Sequence, residues 1–406
     1  MSKRPTPKGL DPADITALAI ERRMTRRGFL VGTGAGLGAL ALAGCAPSAA
    51  SAPPATTAPS AAAPSGGASP SASASASAAL GDSMTLATWP NYHDPAVLED
   101  FTSATGVAIN VQVFGSTEEM EAKIRAGNSG IDVVVPSNYA IEGWVKDTLI
   151  EPLDYAKLPD FKKEDWNPLF MDQAFDKGNV VSIPKNWGTT GIAFWSSKVS
   201  PALTSWKEFF QAAGSTYKGK ALIVDHQISS FGSAAVAMGY SLNTIDPTEM
   251  AAVEQMLTAL KPQLFAISSD VQPPLRAKDT WLSVAWTGDG VQVVRDNPDD
   301  AKYVVASDGG ELWIDSYTVA ADAPHRDAAY AFLDYITQPE QAARETMFCL
   351  FPHANDKATA MVDPAVKDNP VIYPAPDSLT KLEYAVNATY NSPERAEAWA
   401  RIKASA

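Results

Sequence analysis

From residue 84 onward the sequence keeps one rhythm: a short apolar run, a capped amphipathic stretch, then another apolar run. "MTLATW" at 84–89 reads as a strand. In the "HDPAVLEDFTSATG" that follows, Asp94 can cap a helix, Pro95 suits its first turn, and Gly106 can end it. Val97, Leu98 and Phe101 share one face of that helix. "VAINVQVF", "STEEMEAKIRAG" and "IDVVVPS" then read as strand, helix and a wholly apolar strand. The rhythm returns with "TSWKEFFQAAG", where Ser205 and Glu208 form a capping box. "KALIVD" and "WLSVAW" are strands, and "DPTEMAAVEQMLTAL" and "RDAAYAFLDYIT" are helices. Such alternation predicts a parallel sheet covered by helices, an α/β fold. The 406 residues are too many for one compact core, so two α/β lobes with crossing loops are expected.

Before this rhythm begins, the chain reads as an address. "MTRRGFLVGTGAGLGALALAGC" spans residues 24–45 and runs basic, apolar, then small, which is the order of an export signal. The apolar run is glycine-rich and shorter than the roughly 18 residues a membrane-spanning helix needs. "GTGAGLGA" within it mimics a nucleotide-binding loop, but no strand precedes it and no acidic ribose partner follows at the right distance. Arg26 and Arg27 resemble a twin-arginine (Tat) signal, and "LAGC" resembles a lipobox. That resemblance implies lipidation of Cys45, which becomes the first residue after cleavage. Residues 1–45 are therefore expected to be a lipoprotein signal peptide. Residues 46–83 are almost all Ala, Ser, Pro, Thr and Gly and are expected to form a disordered spacer.

Net charge is −14, and the first 45 residues are the basic part, with seven Lys or Arg against three Asp or Glu. An acidic folded region repels nucleic acid and attracts small cations. Two cysteines, Cys45 and Cys349, make no disulfide framework. Cys349 reads as a buried apolar residue. No HExxH, CxxC or GxSxG occurs, and no histidine has a second ligand at metal spacing, so no metal, cofactor or hydrolase is expected.

Ligands of open α/β sheets bind beyond the carboxyl ends of strands. Those ends carry Trp89, Asn91 and Tyr92; Ser137 and Tyr139; Asp225 and His226; and Trp286 with Asp289. They are aromatic, hydroxyl and acidic, with no Lys or Arg among them. "ELWIDSYTV" adds a second tryptophan beside an acid, Trp313 with Asp315. A ring face and a carboxylate together suit an ammonium removed from water. Trp166, Trp206 and Trp281 fall in helix or strand patterns and read as core. Trp187, before a candidate hinge in "PKNWGTTG", fits either role.

In order along the chain, "TWPNYHDPAVLEDFTSATG", "DVVVPSNYAIEGWVKDTLIEPLD", "SIPKNWGTTGIAFW", "KALIVD", "AMGYSLNTIDP", "AWTGDG", "GGELWIDSYTV" and "YAFLDYITQPEQAA" resemble the spermidine/putrescine-binding proteins of polyamine ABC transporters. The likeness covers about residues 84–403. It implies a two-lobed periplasmic-binding-protein fold of type II with the ligand between the lobes. Residues 84–188 and 316–360 would form lobe 1, and 189–315 with 361–406 lobe 2. It implies no catalysis. A lipid-anchored monomer on the extracytoplasmic face would deliver polyamine to a permease driven by an ATPase. Matched one by one, Trp89, Tyr92, Ser137, Tyr139, Trp286, Asp289, Trp313 and Asp315 would line the ligand. Asp289 and Asp315 would hold amines, and the rings would wall the methylenes. Six positions in four places depart from the pattern: Asn91 and Pro90 replace an acid or threonine, and His226 and Ser229 replace acids after Asp225. Phe351 replaces a tyrosine and Ala385 a glutamine. Two certain acids, with Asp225 a third candidate, favour a short diamine. Another organic cation, an amino-acid-like solute and, from a different class, a secreted two-carboxylate glycosidase remain as alternatives.

Overall fold

The computed structural model describes residues 80–405. Arg26, Arg27, Cys45 and residues 46–79 of the spacer lie outside the described residues. Ten strands form one mixed sheet: β1 Ser83–Thr88, β2 Ala108–Val113, β3 Val133–Val134, β4 Ile183–Trp195, β5 Ala221–Ile223, β6 Ala266–Ile267, β7 Leu282–Trp286, β8 Ala301–Val304, β9 Gly310–Val319 and β10 Leu382–Tyr384. The order is β2-β1-β3-β9-β4-β7-β5-β6, with β10 on β9 and β8 on β4. The β2-β1-β3 set is parallel, as is β7-β5-β6. Between the two sets run β9 and β4, antiparallel to each other and buried along their whole lengths.

Those two strands join the halves of a two-lobed fold. β9 pairs with β3 at its carboxyl end and with β10 at its amino end. β4 pairs with β9 through Ile183–Thr189, then passes to β7 and β8. One core gathers Met84, Leu86, Phe101, Val133, Tyr317 and Phe332 around the first set. The other gathers Phe194, Trp206, Phe209, Phe231, Leu257 and Val284 around the second. Each such side chain contributes about 1.5–3 kcal/mol by leaving water.

The helices start and stop where the sequence predicts. Asp94 caps Pro95–Thr105, accepting from the Ala96 N–H, and Gly106 ends it at φ 79°, where a Cβ would be strained. Ser205 and Glu208 complete the capping box of Trp206–Ala213. Three local readings change. "IDVVVPS" gives only a two-residue ladder at Val133–Val134, because the chain soon meets Pro136, which has no N–H to donate. Trp281 is half-buried rather than core, with the Lys198 and Lys220 ammonium groups 5.6 and 5.3 Å from its ring. Trp187 lies in mid-strand, stacked on Phe170 with ring centroids 4.7 Å apart.

Candidate ligand cleft

Strand alternation puts Glu311, Trp313 and Asp315 on one face of β9. Asp315 is 6% exposed and is bracketed by two neutral donors from the first half. The Ser137 hydroxyl donates to Oδ1 at 2.6 Å and the Tyr92 hydroxyl to Oδ2 at 2.7 Å. No lysine, arginine or histidine forms an ion pair with it among the described residues. Burial therefore dominates, and its pKa rises to about 6 while the two hydroxyl bonds and Lys185 pull the other way. Rings complete this end. Phe351 lies 5.6 Å from Tyr92 and 5.4 Å from Trp313, and Trp313 lies flat over Gly188, where a Cβ would come within 2.3 Å of the indole.

A second polar cluster sits beyond the end of β5. A π-helical turn, Gln227–Phe231, follows His226 and turns Ser229 toward β9. The Ser229 N–H donates to His226 Nδ1, which leaves the ring hydrogen on Nε2. That Nε2 lies 3.5 Å from the Tyr139 hydroxyl of the first half. Ser229 Oγ donates to Glu311 Oε2 at 2.7 Å, accepts from Trp286 Nε1 at 3.1 Å, and lies 3.0 Å from His226 Nδ1. Thr190 Oγ1 also donates to Glu311 Oε2, at 2.5 Å. Tyr92, Ser137 and Asp315 thus form one polar group, and Tyr139, His226, Ser229 and Glu311 a second that draws on both halves.

Nine of the thirteen residues expected at the ligand are linked here: Tyr92, Ser137, Tyr139, His226, Ser229, Trp286, Trp313, Asp315 and Phe351. Trp89, at the end of β1, packs against both cores and buries an indole N–H with no acceptor. Three behave differently. Asn91 is exposed at φ 55°, a left-handed turn position that asparagine tolerates. Asp225 is exposed and already occupied: Lys403 Nζ approaches at 2.9 Å and Trp399 Nε1 donates at 3.0 Å. Asp289 heads the helix Thr287–Asp296, and its Oδ1 accepts from Gln272 Nε2 at 2.8 Å. Burial raises its pKa, with Gln272 acting in the opposite sense.

Sequence reasoning missed Glu311 and a buried charge cluster behind Tyr92. Lys185 is fully buried, 3.1 Å from Glu345 Oε2, and its ammonium lies 4.1 Å from the centre of the Tyr92 ring. His93 Nδ1 reaches the same Glu345 oxygen at 2.7 Å. The sequence signal for Glu311 was its place two residues before Trp313. Lys185 and Glu345 lie far apart in sequence, and nothing local pairs them.

Comparison with known proteins gives a consistent result. The sequence profile of the bacterial extracellular solute-binding protein family matches residues 96–374. The spermidine/putrescine-binding periplasmic protein of Escherichia coli K12 is 30% identical over 78% of this chain and 90% of its own length. The protein of that name from Salmonella typhimurium is 29% identical over 80% of this chain and 92% of its own. Among solved structures, the spermidine/putrescine ABC transporter substrate-binding protein of Streptococcus pneumoniae superposes with a TM-score of 0.69 at 27% identity, over 80% of this chain and 99% of that one.

Proposed function

Because the chain belongs to the bacterial extracellular solute-binding proteins, we propose that it captures a polyamine of the putrescine or spermidine class between its two halves. The observation that carries this reading is Asp315, a buried carboxylate held by two hydroxyls, ringed by Tyr92, Trp313 and Phe351, and in no ion pair among the described residues. An ammonium supplies the missing charge, and the rings suit both the cation and its methylenes. The relatives that this chain resembles are solute-binding proteins, and on this reading the site holds a ligand rather than cleaving one. On this reading the protein hands its ligand to a membrane permease worked by an ATPase. A thioether lipid at Cys45 keeps it at the outer face of the membrane, with the spacer as tether. One acyl chain gives marginal attachment, so stable anchoring takes more than one.

Calorimetry with putrescine, cadaverine, spermidine, spermine and agmatine tests the ligand class, and at least one is expected to bind in the micromolar range or tighter. Saturable binding of a neutral solute or an amino acid, with no polyamine bound, would replace this reading. Cys45→Ala should move the protein from the membrane to the soluble fraction; a variant still on the membrane would rule out the lipid anchor.

A further inference from the structure

Glu311 has a chemistry that the fold alone does not require. It is 2% exposed, it lies on the same face of β9 as Trp313 and Asp315, and it forms no ion pair among the described residues. Both of its hydrogen bonds, from Thr190 and Ser229, fall on Oε2, and no protein donor among the described residues reaches Oε1. Arg395 acts on it only from a distance, because that guanidinium is spent on the carbonyls of Leu242, Thr244 and Gln227. A buried carboxylate without a counter-ion is costly and calls for a cation.

The other candidates for a second acid are already partnered. Asp225 is paired with Lys403, and Asp289 is only half-buried, accepts from Gln272 and feels the charge of Arg276. The resemblance set out above implies acids after Asp225, where this chain has His226 and Ser229. Glu311 Oε2 lies 2.7 Å from Ser229 Oγ, so β9 brings a carboxylate to that place from the opposite side. Along a strand rising about 3.3 Å per residue, Glu311 and Asp315 are roughly 13 Å apart at Cα, with Trp313 midway. That spacing suits two separate charges with an apolar chain between them.

We propose that Glu311 is the second amine anchor, so that the ligand carries a cationic group at each end, one on Asp315 and one on Glu311, with Trp313 beneath its methylenes. The proposal rests on the polyamine reading and adds which acids set its specificity. It is tested by titrating the full chain and its Glu311→Gln variant with putrescine, spermidine and n-butylamine, which has a single ammonium. The amide keeps an acceptor for Thr190 and Ser229 and removes only the charge. The expected result is a loss of at least 30-fold for the better of the two polyamines and less than threefold for butylamine, with a melting temperature at or above wild type. If the Glu311→Gln variant proves too unstable to titrate, Glu311→Asp, which withdraws the charge by one methylene, is expected to weaken the same polyamine at least tenfold. Equal losses for all three amines would show a structural role and overturn the proposal. So would a polyamine-specific loss in Asp289→Asn with none in Glu311→Gln, while the polyamine reading stood. Wild-type protein that binds no polyamine would overturn both.

Discussion

Asp315 shows how a single residue can trade stability for binding. Its carboxyl, at an ordinary 3.8 when solvated, is pushed by burial to about 6, against the bonds from Ser137 and Tyr92. The folded chain therefore holds this proton more tightly than the unfolded chain, and its contribution to stability falls as pH rises from about 4 to 6. At 1.36 kcal/mol per unit the full effect is about 3 kcal/mol. Asp315→Asn is expected to remove that slope and to be more stable than wild type above pH 6 by up to about 3 kcal/mol, read from urea unfolding across pH without ligand. The same variant should weaken a diamine by about 2–5 kcal/mol, and wild-type affinity should fall as pH drops below 6. An unchanged slope would show that burial does not set this group's charge. Trp313 and Asp315 were legible because ring and acid stand two apart in one short stretch. Glu311 was not, because "ELWIDSYTV" reads as one Trp–Asp pair until the strand shows three alternating positions facing one way. The partners of Asp225, Lys403 and Trp399, were not legible because they arrive from the far end of the chain.

At the scale of elements, the helices were legible because capping is local, as Ser116, Ser205 and Asp246 show by bonding the N–H groups two or three residues ahead. The thirteen-residue β4 was not, because a strand buried on both faces has no alternation, and "IPKNWGTTGIAFW" hides Lys, Asn and two Thr among its apolar residues. Its pairing with β9 slips between Pro184 and Asn186, so Lys185 is the extra residue of a bulge. A bulge re-aims a side chain, and here it accompanies an ammonium directed into the core toward Glu345 and beneath Tyr92. Burial would raise the Glu345 pKa, but His93 and Lys185 hold it well below the usual carboxylate range. Lys185→Met keeps the volume and leaves that carboxylate to His93 and the Asp94 N–H alone, so it is expected to cost up to about 3–5 kcal/mol of unfolding free energy. Adding Glu345→Gln should recover part of the loss. A double variant as weak as the sum of the two singles would show that the pair does not interact.

At the scale of the whole molecule the halves meet through the side chains of Tyr139 and Asn138. Tyr139 of the first half packs at a tilt against Tyr390 with centroids 5.0 Å apart and reaches His226, and Asn138 bonds both the Ala385 carbonyl and the Ile314 N–H. Asp315 and Glu311 are both buried where the halves meet, and no ion pair from the protein meets either among the described residues; on the proposed function, closure is the step that takes both from water. Without ligand, this cost opposes the apolar gain from Tyr139 and Tyr390. A bound dication cancels the cost, so its binding energy is what drives closure. X-ray scattering should therefore give a smaller radius of gyration with a saturating polyamine than without. The Asp315→Asn, Glu311→Gln double variant, freed of the charge cost, should show the smaller radius with no ligand at all. A wild type of constant radius would mean that the halves do not move. A double variant as open as ligand-free wild type would mean that something other than these two carboxylates holds the cleft apart.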